Sequence, residues 1–120
     1  MKQTKASDNA TAPMPPAMFY ILFALADGDK HGYAIMQETL KLSEGTFRMG
    51  PATLYTNVQR LLAADLIKEV AGQDSGEAEA RRRYYRLSKQ GKAALEQELQ
   101  RMRKVLRRAQ SLSLALKLSH

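Results

Sequence analysis

The sequence has no cysteine and no tryptophan, and its only histidines are His31 and His120. Without thiols there is no disulfide, no Cys-ligated zinc, no iron–sulfur cluster and no thiol nucleophile. Two histidines so far apart give no basis for a His-based metal or catalytic site. No apolar run approaches the ~18 residues of a membrane span. Met1 to Ala12 is polar and has none of the apolar core of a secretion signal. Glycine-rich phosphate loops, nucleophile elbows and zinc-protease motifs are also missing. The expectation is a non-enzymatic protein with no metal, no cofactor and no membrane partner. The lack of thiols permits a reducing compartment, so a cytoplasmic location is expected.

Acidic residues are also few. The chain of 120 residues has 12 Asp and Glu against 19 Lys and Arg, a formal net charge of +7. That excess points to an anionic partner: nucleic acid, an acidic membrane surface or an acidic protein. A hydrophobic share of 44% and a charged share of 26% are ordinary for a globular chain. The length suits one domain with one modest core.

Met1 to Pro13 is rich in small and polar residues and reads as a flexible tail, with Pro13, Pro15 and Pro16 marking its end. Ala17 to Ala26 is almost wholly apolar. A helix greasy on all sides needs cover on more than one side, by its own core and by a second subunit. Asp27-Gly28-Asp29 breaks it. Tyr33, Met36 and Leu40 recur at helical spacing, giving a helix over Gly32 to Leu42. Gly50-Pro51 opens the next, to about Ala64. In that helix Leu54, Val58, Leu61 and Leu62 form an apolar face, while Thr53, Thr56, Asn57 and Arg60 lie on another. Those are neutral hydrogen-bonding groups with one Arg, unlike the Glu/Lys mixture of an ordinary solvated helix.

Leu66 to Ala71 alternates as a strand, Gly72 to Ala80 is a loop, and Arg81 to Leu87 returns as a second strand of a hairpin. Ser88 suits the N-cap of a long last helix. Along it Leu95, Leu99, Met102, Leu106 and Ala109 follow a four-three-four-three spacing, a short heptad seam for packing helix on helix. The same helix carries Arg101, Arg103, Lys104, Arg107 and Arg108. The narrow Leu/Met seam, without Trp or Phe anchors, favours dimer packing over a membrane surface. Helix, helix, helix, hairpin, long helix is the layout of a winged helix-turn-helix. The expected fold is mainly α with a small β-hairpin and a C-terminal dimerisation helix. The expected divisions are a tail over 1–15, a winged helix-turn-helix over 16–88 and the dimerisation helix over 89–120.

Several stretches together resemble the PadR family of bacterial transcriptional regulators. They are Met18 to Ala26 with Asp27-Gly28-Asp29-Lys30-His31-Gly32-Tyr33, Gly50-Pro51-Ala52-Thr53-Leu54-Tyr55, Arg60-Leu61, Leu66-Ile67, and Arg83-Tyr84-Tyr85-Arg86-Leu87-Ser88 with Gly91. The likeness runs from about Pro16 to Leu99. It implies a dimeric winged-helix repressor that releases DNA when a small molecule or stress signal arrives. Some short members clamp flat aromatic ligands between paired tryptophans, which this chain lacks.

In the third helix Asn57 would pair an adenine, Arg60 a guanine or a phosphate, and Thr53 and Thr56 phosphates or a thymine methyl, with Tyr55 either reaching a phosphate or lying half-buried. Arg81, Arg82 and Arg83, with Arg86, would place guanidinium forks on phosphates from the hairpin. The plainer alternative for these arginines is a solvated run paired with Glu77 and Glu79. Met18, Phe19, Leu22, Leu95, Leu99, Met102 and Leu106 would form the homodimer interface and house a small aromatic or hydrophobic effector. The duplex would be an inverted-repeat operator. Asp27, Asp29, Gly32 and Glu38 match positions of a calcium loop, but His31 takes a place where calcium wants oxygen. A helix-breaking turn explains the same residues, and His31 reads as a structural turn histidine. The alternative from another class is a basic winged-helix module that binds an acidic protein without reading sequence.

Overall fold

The structure, a computed structural model, describes residues 12–71 and 83–112. The elements are α1 (Pro16–Ala24), β1 (Lys30–His31), α2 (Gly32–Leu42), α3 (Pro51–Ala63), β2 (Ile67–Val70), β3 (Tyr84–Leu87) and α4 (Lys89–Ser111). Four helices and a small antiparallel sheet make a winged-helix fold.

α1 starts with Pro16 in its first turn, where a missing N–H costs nothing. It is the central helix: α2, α3 and α4 all pack against it. Phe19, Ile21, Leu22, Ala24 and Leu25 are buried this way. Phe19 and Leu22 were expected at a subunit interface. The structure corrects this, because the chain's own helices cover both. Leu95 is corrected for the same reason: α4 turns it into the shared core.

α2 and α3 form the helix-turn-helix. The Ser43 hydroxyl holds the turn between them by accepting from the Phe47 N–H (3.0 Å), and the Phe47 ring stacks on Tyr20 (5.3 Å). His31 caps α2, its Nδ1 accepting from the Ala34 N–H at 3.3 Å. α3 stops just before Asp65, whose φ of 61° puts it in the left-handed region that ends a helix.

The sheet order is β1-β3-β2, with Ile67 opposite Leu87, Glu69 opposite Tyr85 and His31 opposite Tyr84. The hairpin is therefore three-stranded. β1 is only two residues long, too short for any alternation to show in sequence. As the middle strand, β3 buries both Tyr84 and Tyr85. Asp29, just before β1, takes a two-pronged hydrogen bond from Arg86 of β3 (both contacts 2.9 Å), which ties the wing to the α1–β1 turn.

α4 begins where α3 ends. Ser88 Oγ caps it by accepting from the Gly91 N–H (2.9 Å) and donates to the Asp65 carbonyl (2.6 Å). Further along, the buried Glu98 carboxylate accepts from Arg101 at 3.1 and 2.7 Å. The backbone of Met14 also hydrogen-bonds Glu98. Met14 packs against the core, so the chain is anchored two residues before α1.

These two carboxylates make stability depend on pH. The Arg86 hydrogen bond holds the Asp29 carboxyl below the ordinary range, and the Arg101 hydrogen bond does the same for Glu98 against its burial. A lowered folded-state pKa stabilises the fold above the unfolded-state value and is lost as pH falls through the folded one. Asp29→Asn and Glu98→Gln should therefore be less stable than wild type at pH 7. The deficit should shrink as pH drops below about 4, where the unfolded carboxyls protonate. Urea titrations of each variant from pH 7 to pH 3 measure this. A deficit independent of pH would mean the carboxylates act by shape alone.

Candidate nucleic-acid interface

α3 has two faces. Leu54, Asn57, Val58 and Leu61 are buried, and Ala52, Tyr55, Thr56, Gln59, Arg60 and Ala63 are exposed, with Thr53 at the margin. The exposed positions follow i, i+3, i+4, i+7, i+8, which is one stripe of an α-helix. Thr53, Tyr55, Thr56 and Arg60 thus lie outward. Asn57 does not. It is 7% exposed and its Nδ2 donates back to the Thr53 carbonyl at 2.8 Å. Its amide is committed to its own helix, which corrects its assignment as a base reader. Gln59 takes the outward place, and the sequence reading passed over it.

Beside α3 lies an open groove of about 470 Å³ that reaches the root of the wing, lined among others by Tyr33, Tyr55, Gln59, Arg83 and Tyr85. It depends on a close approach at the start of α2. A Cβ on Gly32 would sit 2.6 Å from the Tyr55 hydroxyl, so any other residue there would displace that ring. Burial pushes the Tyr85 hydroxyl pKa up, Glu69 and Tyr55 push the same way, and Arg83 opposes them. Tyr85 is therefore a neutral phenol at physiological pH. Tyr33 is exposed on the groove's other wall, its hydroxyl accepting from Gln37 at 3.1 Å.

Arg83 reaches this groove with a side chain 69% exposed and a long contact of 3.8 Å to Glu69. Arg86 is occupied by Asp29 and is not part of a cationic cluster at the groove. Arg81 and Arg82, like Glu77 and Glu79, lie outside the described residues. The carboxylates of the calcium-like loop have cationic partners, Asp27 with Lys30 and Asp29 with Arg86. Among the described residues no three His, Asp or Glu side chains gather to hold a metal. No helix among them is long and apolar enough to cross a membrane.

α4 leaves its own core after Glu98. Leu99, Met102, Val105 and Leu106 are exposed along one side, and Arg103, Lys104, Arg107 and Arg108 along the other. Met18 is half-buried where α1 meets α4. It borders a groove of about 630 Å³ that also includes Met14, Leu66 and Ala94.

This architecture has relatives. The chain is similar to a PadR family transcription regulator from Clostridium difficile, with a TM-score of 0.69 and 24% identity over 83% of this chain and 100% of that one. A transcriptional regulator from Clostridium thermocellum gives a TM-score of 0.65 and 26% identity over 79% and 87% of the two chains. Bacillus subtilis PadR in complex with operator DNA gives 0.62 and 20% identity, over 73% of this chain and 48% of that one. The family model described as "Transcriptional regulator PadR-like family" matches residues 21–97, from α1 through the wing and into α4. That span is more than half of the sequence, and the chain belongs to the PadR-like family of transcriptional regulators.

Proposed function

We propose that the protein is a homodimeric, sequence-specific repressor that binds an inverted-repeat operator in duplex DNA and lets go when a small aromatic or hydrophobic effector binds. The observation that carries this reading is the outward stripe of α3. It holds Thr56, Gln59 and Arg60 free of acidic side chains, beside a groove bearing tyrosine hydroxyls and Arg83. Such a helix fits a major groove, and the wing root meets the adjoining backbone. A protein of similar fold, Bacillus subtilis PadR, is known in complex with operator DNA, which supports DNA as the partner.

In this reading residues 16–88 bind DNA and α4 with the rest of 89–120 pairs two chains. Two α3 helices then read half-sites about 34 Å apart, or a multiple of it. Met18 and the groove at the α1–α4 junction, together with Leu99 and Met102, house the effector. Release requires that it bind the DNA-free arrangement more tightly than the DNA-bound one. A cytoplasmic location goes with this role.

The test is binding to duplex from the region upstream of the protein's own gene, against scrambled duplex, at several salt concentrations. The native duplex should be preferred. Arg83→Ala should weaken binding to both and make the plot of log affinity against log salt shallower by about one, as for one lost phosphate contact. Equal affinity for both duplexes would instead favour the acidic-protein module, and an unchanged slope would remove Arg83 from the interface.

A further inference from the structure

The stripe on α3 is not uniform. At 3.6 residues per turn, successive side chains are rotated by about 100°. The buried set Leu54, Asn57, Val58 and Leu61 fixes the inward direction. The opposite direction falls between Thr56 and Gln59, each within about 30° of it, with Ala52 and Ala63 beside them. Tyr55 lies about 70° to one side, toward the groove, and Arg60 about 70° to the other. The centre of the stripe is therefore low, with two alanines and two polar side chains, and its flanks carry the long ones.

A helix in a major groove has its central line over the base edges and its flanks against the two phosphate walls. Tyr55 and Arg60 then meet backbone, and Thr56 and Gln59 meet bases. The two differ in what they can distinguish. A hydroxyl can donate or accept and suits more than one base, whereas a primary amide makes two parallel hydrogen bonds to N6 and N7 of adenine. The Gln59 amide is also available: it forms no hydrogen bond among the described residues, whereas that of Asn57 is bound to Thr53.

We propose that Gln59 is the principal specificity-determining residue of this protein and that it selects an adenine in each half-site. The inference rests on the DNA-binding reading of α3 and adds the residue and base that set its preference. The groove beside Gln59 fixes the register. Tyr55 and Arg83 grip the backbone of one strand there, so the amide reaches the same base pair each time.

The experiment is selection of binding sites from a random duplex library by the full-length protein, run in parallel with Gln59→Ala and Gln59→Arg. Gln59 is exposed, so both variants are expected to fold, and circular dichroism checks this. Wild type should enrich a motif with adenine fixed at one position in each half-site. Gln59→Ala should enrich the same motif with only that position levelled, and should bind the wild-type site about 5- to 150-fold more weakly. Gln59→Arg should shift that position to guanine, the base whose O6 and N7 suit a guanidinium. A Gln59→Ala motif identical to wild type, or levelled evenly at every position, overturns the assignment and leaves the regulator reading intact. A wild-type protein that enriches no motif overturns both.

Discussion

Gly91→Ala should be among the most damaging single substitutions in the chain, although it adds only a methyl group. Gly91 lies in the first turn of α4, against Leu66 in the link from α3 to β2. A Cβ there would stand 1.9 Å from the Leu66 carbonyl oxygen and 2.9 Å from its carbon. Both are backbone atoms, so no side chain can swing aside. The Leu66 carbonyl also accepts from the Ser88 N–H at 3.1 Å, and the next residue, Ile67, pairs with Leu87 in the wing. Relieving the clash means lifting α4 from the turn, which loosens the Ser88 cap, the root of the wing and the seat of Leu95 together. The expected cost is about 3 kcal/mol or more, beyond the usual range for overpacking because backbone rather than side chain must move. For a folded unit of this size that lowers Tm by more than about 10 °C. Thermal unfolding followed by circular dichroism gives the number. A loss under about 1 kcal/mol would mean that α4 slides easily on Leu66.

That contact spans 25 positions and leaves no trace in local sequence pattern, which marks the boundary of what the sequence discloses. Spacing and caps located the helices well. Gly32 to Leu42 is found where its periodicity puts it, and Ser88 caps α4 as a serine before a long amphipathic run should. Asn57 groups with Thr53, Thr56 and Arg60 by polarity, yet its spacing from Leu54, Val58 and Leu61 is that of a buried residue. Its side chain satisfies itself on the Thr53 carbonyl, so polarity and burial coexist. The spacing 52, 55, 56, 59, 60 and 63 was the signal that would have brought Gln59 forward. Phe19 and Leu22 illustrate a different limit. An apolar residue looks the same whether its own chain or a second one covers it, and here the chain's own helices do. Arg86 reads as one more cation of the wing until Asp29, distant in sequence, is seen to hold it.

For the proposed dimer the outer part of α4 is the candidate interface, and the second large effect is expected there. Leu99, Met102 and Leu106 are 39%, 38% and 42% exposed, and Val105 is 57% exposed. Among the described residues nothing covers them fully, while Leu95, one step earlier in the same seam, is buried in the core. A seam that runs from the core into solvent is suited to a second copy of itself. In a two-fold interface each residue acts twice, and a buried leucine contributes about 1.5–3 kcal/mol. Leu106→Asp removes two such contributions and sets two carboxylates in apolar surroundings. Dimer dissociation should rise by about a thousand-fold, as two losses of about 2 kcal/mol require. Affinity for a full inverted repeat should fall with it, because the two half-sites are no longer read by one molecule. Affinity for an isolated half-site should hold, since α3 and its groove lie elsewhere on the molecule and keep their structure. Sedimentation equilibrium, paired with titration of full and half duplexes, separates these effects. A Leu106→Asp protein that remains a dimer would move the seam off α4, and one that loses half-site binding as well would show that α4 supports the fold of the DNA-binding unit rather than pairing it.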